Sequence, residues 1–164
     1  MDATRLAVYG VAGIVLAVTL VSGPLVGAVD LTQEPQACSA PVGTGTATVS
    51  VDSLPDSATI SKGEFGSEVY YLQVPDGSAT VENVTGQPTL SYTISIPELG
   101  RTAGPVLFLC ADQSARQPLS IDRRTIEEED LTADSYEATL TLLLRGDGGE
   151  TLVREKAITV EVEQ

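Results

Sequence analysis

The chain has no His and no Trp, and only two Cys, two Lys, one Met and one Asn in 164 residues; aromatic residues make up 4% of it. Each shortage removes a class of chemistry. Without His there can be no Ser-His-Asp or Cys-His catalytic group and no His-ligated zinc, and two Cys are too few for an all-thiolate structural zinc site. Sugar sites favour aromatic platforms, which are scarce here, although carboxylates enough for a glycosidase pair are present. No Gly-rich loop opens a helix, so there is no phosphate cradle. Cations are also in short supply. Nine Lys and Arg stand against 23 Asp and Glu, a formal net charge of -14, the reverse of the basic footprint that nucleic-acid binding requires. The composition points away from an enzyme, from a bound cofactor and from nucleic acid as a partner. It names no activity.

Residues 1–29 carry only Asp2 and Arg5, so the whole net charge belongs to residues 30–164. No residue from Leu6 to Val29 is charged. A membrane-spanning helix needs about 20 predominantly apolar residues, and Leu6 to Gly23 alone is an uncharged stretch of 18. Arg5 precedes this run, while Asp30 and Glu34 follow it. The positive-inside rule then puts the N-terminus in the cytoplasm and the rest outside. The run exceeds a usual signal-peptide core, which favours an uncleaved single-pass anchor in the cell membrane. Pro24 and the small residues of Val26-Gly27-Ala28 keep open the alternative of a cleaved signal and a secreted product. Residues 30–45, rich in Pro, Gly and Ser, read as a connector, and residues 46–164 as the folded domain.

That domain reads as β throughout. Ala47, Val49 and Val51 alternate with Thr46, Thr48 and Ser50; Leu90, Tyr92, Ile94 and Ile96 alternate with Thr89, Ser91, Thr93 and Ser95. Tyr136, Ala138, Leu140, Leu142 and Leu144 share one face of a later segment, and Ile158, Val160 and Val162 share one face of the last. Period-two patterning of this kind marks half-buried strands. Between these lie shorter candidates at 68–74, 79–84, 106–111 and 119–122. Pro75-Asp76-Gly77, Gly86-Gln87-Pro88 and Gly146-Asp147-Gly148-Gly149 separate them as turns, the last closing a hairpin. The exception is 124–133, RTIEEEDLTA, which reads as a turn of helix or an acidic loop. About eight short strands at this spacing predict an all-β, immunoglobulin-like β-sandwich preceded by one N-terminal transmembrane helix; a closed barrel is the alternative. The run Asp130 to Tyr136 resembles the entry to a late strand in immunoglobulin-like and fibronectin-like domains. There a Tyr hydroxyl bonds back to nearby backbone.

Four features carry candidate chemistry. Cys38 and Cys110 both fall on the expected outer side, and an even count in an exported chain points to a disulfide that staples the connector to the sheet; two separate thiols are the alternative. Asn83-Val84-Thr85 is an N-glycosylation triplet near a turn and contains the chain's one Asn. Glu127-Glu128-Glu129-Asp130 could hold Ca²⁺. It lacks the spaced carboxylates that aim ligands at one point, so a solvated acidic loop is the better reading and no metal site is assigned. Ser61 and Lys62, the one adjacent Ser-Lys pair, would point apart on an extended segment.

The apolar run, Gly66 to Val74 (GSEVYYLQV), Asn83 to Pro88 (NVTGQP) and the acidic charge together resemble the small exported or membrane-anchored β-domain proteins of halophilic archaea. No activity comes with that resemblance. The expectation is a non-enzymatic, membrane-tethered cell-surface module that interacts with envelope proteins; the alternative is a secreted protein that binds a small ligand or ion.

The charge predicts a salt dependence. The Debye length is about 3 Å at 1 M salt and about 30 Å at 0.01 M, so repulsion among the carboxylates is screened only at high salt. The isolated domain should melt at a higher temperature in molar KCl than in millimolar buffer. Reversing several of Glu127, Glu128, Glu129 and Asp130 to Lys should flatten that difference, as thermal scans at the two salt concentrations would record.

Overall fold

The computed structural model describes residues 38, 40–63, 69–110 and 115–163. The expected membrane span lies outside these residues. Among the described residues no helix is long and apolar enough to cross a membrane.

Among the described residues eleven strands run in order: β1 (Thr44–Ser53), β2 (Ser57–Lys62), β3 (Val69–Gln73), β4 (Gly77–Gln87), β5 (Thr89–Ile96), β6 (Arg101–Ala103), β7 (Val106–Phe108), β8 (Ala115–Leu119), β9 (Arg124–Glu127), β10 (Ser135–Gly146) and β11 (Gly149–Glu163). They form a β-sandwich with barrel-like curvature. A three-stranded sheet has the order β1-β4-β8; a larger sheet has the order β6-β5-β10-β11-β2-β3-β9, with β7 also paired to β5. All pairs are antiparallel except β11 with β2.

The long alternating segments are the walls of the core. Leu90, Tyr92, Ile94 and Ile96 of β5, Tyr136, Ala138, Leu140 and Leu142 of β10, and Ile158 and Val160 of β11 are all buried. They meet Ala79, Val81 and Val84 of β4 and half-buried Ala47, Val49 and Val51 of β1 in one cluster. Burying each Leu or Ile side chain contributes about 1.5–3 kcal/mol. The chain passes from the small sheet to the large one after β1, β4 and β8, and between β4 and β5 only buried Pro88 intervenes. Beside Pro88, β1 meets the β10–β11 turn so closely that Asp147 N–H donates to Gly45 O at 2.9 Å. A Cβ on Gly146 would collide with that same carbonyl.

Strand β4 carries an irregularity. Thr46 pairs with Thr85 and Thr48 with Glu82, so two residues of β4 oppose Ala47. This is a β-bulge, and it changes which face the following residues occupy. Val81 and Val84, three apart, therefore both point into the core, which a regular strand forbids. The residue at the bulge is Asn83, at φ 52°, the one non-Gly residue with positive φ among those described.

Three strands were not anticipated, and the acidic segment differs from expectation. β2 has only Ala58 and Ile60 facing inward, and its parallel partner β11 lies about a hundred residues away. β6 and β9 are short, charged end strands of the large sheet. Edge strands are commonly short and charged, which erases the apolar alternation that would reveal them. The segment 124–133 is neither helix nor loop alone: β9 is followed by a 3-10 turn at Glu128–Asp130. The strand expected at 119–122 lies earlier, ending at Leu119 and carrying Pro118 on a sheet edge, where Pro is tolerated.

Two buried tyrosines at the start and centre of the core behave oppositely. The Tyr136 hydroxyl accepts from Thr132 N–H at 2.7 Å and Ala133 N–H at 3.0 Å, closing the corner before β10. The Tyr92 hydroxyl is buried with no partner among the described residues. Burial, with Asp76's charge adding to it, pushes this phenol up to about 12. Tyr136→Phe should therefore cost about 1–3 kcal/mol by stranding two N–H groups, whereas Tyr92→Phe should leave stability unchanged or raise it. The Tyr92 phenol is raised from an ordinary value of 10.0. Its neutral form thus contributes fully below pH 10 and is lost as pH climbs towards 12. Denaturant titrations across that range should show this alkaline loss in the parent and less of it in Tyr92→Phe.

Candidate functional site

Cys38 and Cys110, 72 positions apart in sequence, form a disulfide with their Cα atoms 5.6 Å apart. Cys110 follows β7, and Cys38 precedes β1, so the bridge fixes the entry of the domain to the end of an edge strand. Closing a loop of that length contributes about 4 kcal/mol in the chain-entropy model.

The remaining sequence candidates are dispersed. Asn83 is exposed on β4, and Thr85 uses its hydroxyl to accept from Thr46 N–H at 3.0 Å and to contact Thr46 Oγ1 at 3.0 Å. Both polar residues of the glycosylation triplet thus serve the bulge, and Asn tolerates the left-handed conformation better than other side chains with a Cβ. The four carboxylates at 127–130 do not converge. Asp130 pairs with Arg101 at 2.9 Å and Glu128 with Lys62 at 3.9 Å, and no group of three metal-ligating side chains occurs among the described residues. Ser61 and Lys62 separate as expected. Ser61 Oγ accepts from Gln73 Nε2 at 2.7 Å, while Lys62 lies 5.6 Å from the Tyr70 ring centre. Lys156, the other lysine, donates to Leu54 O at 3.1 Å and to Asp56 Oδ1 at 2.7 Å. That hydrogen bond, and then the ammonium charge, hold the Asp56 carboxyl below its ordinary range. Both lysines are thereby committed to joining segments of the fold.

One cleft brings together residues that the sequence did not single out. The large sheet curls until its two end strands, β6 and β9, face each other. Between them is a cavity of about 400 Å³. Leu72, Ile94, Ile96 and Ile126 form its floor, Thr93, Thr102 and Thr125 add hydroxyls, and Arg101 and Arg124 stand at its sides. Gly104 continues β6 along the rim; a Cβ there would collide with Tyr92 O, so only Gly lets this edge lie so close to β5. Arg101 is held by Asp130. Arg124 takes part in none of the four ion pairs among the described residues, although acids outnumber cations 23 to 9 in the chain. No sequence signal could have found this pairing of arginines. Arg101 and Arg124 are 23 positions apart in segments with little alternation.

No protein-family model, characterised protein or solved structure matches the chain.

The bulge gives a direct test of why Asn stands at 83. Asn83→Gly should hold stability within about 0.5 kcal/mol, since Gly adopts positive φ freely. Asn83→Val should cost about 1–2 kcal/mol. Chemical denaturation of unglycosylated protein measures both.

Proposed function

We propose that this chain is an exported, membrane-tethered module of a cell envelope that works by binding and carries out no catalysis. The observation that carries the reading is the Cys38–Cys110 bridge. Structural disulfides persist in oxidising, extracytoplasmic compartments. This one begins nine residues after the uncharged run ends at Val29, so it would staple the tether to the domain it holds. The acidic surface suits a salt-rich exterior, where charge that keeps the domain soluble is screened, and we infer a halophilic archaeal source on that ground. The absence of His supports binding over catalysis.

Within that reading the domain is immunoglobulin-like. The Tyr136 hydroxyl bonding back to Thr132 and Ala133 supports this, since such domains carry a tyrosine corner at the same kind of strand entry. The disulfide differs from the inter-sheet bridge of those domains, because Cys38 precedes the first strand. Exposed Asn83 would serve as a glycan acceptor on the outer side. The second reading, a secreted ligand-binding protein freed by signal cleavage, is favoured by the arginine-flanked cleft.

Protease added to intact cells should remove the domain comprising residues 46–164. Its protection until the membrane is opened would overturn the export topology. Mass spectrometry of the mature protein separates the two readings: an N-terminus at or near Met1 supports the anchor, one beyond Ala28 the secreted form. The same spectrum reads a glycan on Asn83 as added mass.

A further inference from the structure

We propose that the seam between β6 and β9 binds an extended acidic segment of a partner protein, which adds as a strand to the free edges of the large sheet. The proposal rests on the reading of this domain as an interaction module and names the surface and the chemistry of its partner.

Four observations converge on it. First, β6 pairs only with β5 and β9 only with β3. Each is an end strand of its sheet, so on the seam side neither has a ladder partner among the described residues. Unpaired edges are templates for strand addition. Second, the sides of the cleft are two stretches of consecutive residues, Arg101 to Gly104 and Arg124 to Ile126, above a floor to which β3 and β5 contribute. Two facing edges of three and four residues suit a short extended segment. A compact small molecule would fill the volume but leave both edges unpaired. Third, the floor is apolar while Arg101 and Arg124 flank it. Arg124 pairs with Leu72 and Arg101 with Ile96, so the arginines share the floor's face of the sheet, and the one row of an added strand that faces it would combine apolar residues with Asp or Glu. Fourth, Arg124 has no ion-pair partner among the described residues despite the excess of carboxylates. Arg101 is already oriented by Asp130 at 2.9 Å. An incoming carboxylate would meet one arginine that is unengaged and one that is fixed in place. A guanidinium presents paired donors to a carboxylate.

The test uses the full chain in detergent micelles. Randomised octapeptides displayed on phage are selected against it, and the enriched sequences are remade as synthetic peptides and titrated. Enriched peptides should carry apolar and acidic residues together in one row, at every second position, and lose binding when a central residue becomes Pro, which cannot donate to a ladder. On binding, amide hydrogen exchange should slow over Arg101–Ala103 and Arg124–Glu127. Arg124→Gln should weaken binding about tenfold or more, the scale of a lost charge-assisted contact, with an unchanged melting temperature. Arg145→Gln, on the β10–β11 hairpin, should leave binding unaltered. Competition by hexanoate as effective as the peptide, with Pro tolerated, would make the cleft a small-anion site and overturn strand addition. Failure to enrich any sequence, or slowed exchange confined to other strands, would also overturn it and leave the two arginines as charges that guard an edge. The protease experiment on cells reads topology alone, so export can fail while this binding holds, and binding can fail while export holds.

Discussion

Strand β10 is hydrogen-bonded on both sides, to β11 along residues 135–146 and to β5 along residues 139–145. Its inward row, Tyr136, Ala138, Leu140 and Leu142, is buried. Everything else in the domain is placed by the need to cover that row. β5 and β11 extend the wall on either side, β1 and β4 lie across it, and Tyr136 fixes the entry by accepting two backbone N–H groups. A strand flanked on both edges has no freedom to slip by one residue, because a slip would turn its whole apolar row to solvent. Removing Leu140 would open a cavity in the middle of this arrangement, a change that costs about 2–5 kcal/mol in well-packed cores.

From that centre the large sheet spreads in two directions and runs out of apolar sequence at both ends. β6 and β9 carry Arg101, Arg124 and Glu127 and contribute little to the core beyond Ile126. The twist of a sheet brings its ends round towards each other. Here the ends face each other without pairing among the described residues, and the Arg101–Asp130 ion pair between half-exposed side chains spans them. Such a pair contributes at most about 1 kcal/mol, far less than a strand ladder. The seam is thus the weakest line in the large sheet, and there two arginines flank an apolar floor. In a chain with nine cations, the cost of an acidic surface is that cationic sites are few, and the fold spends two of them here.

The sequence made several parts of the molecule legible. The inward rows of β1, β5, β10 and β11 follow from period-two alternation, the hairpin between β10 and β11 from Gly146-Asp147-Gly148-Gly149, and the bridge from an even cysteine count. Tyr136 bonds to backbone as its setting before an alternating strand suggested. Other parts left no trace. β2 holds two inward residues, β9 one, and β6 none that is fully buried, too few to set a period. The expected strand at 79–84 conceals a change of face, because nothing about Asn83 in isolation tells a bulge residue from a glycan acceptor.

What the sequence determined by itself is therefore whatever depends on one residue's own chemistry or on the geometry of a single strand. Charge, the missing catalytic types and the alternation of inward and outward side chains need no knowledge of neighbours. Tertiary structure alone decided which strand lies beside which: the parallel match of β2 with β11, the passage between sheets at Pro88, the face change at Asn83, and the placing of Arg101 and Arg124 on one cleft. The physical reason is that a ladder is made between backbones, which are the same in every residue. A strand's partner is chosen by the closure of loops and by the fit of the whole core, quantities distributed over the chain and written in no single segment of it.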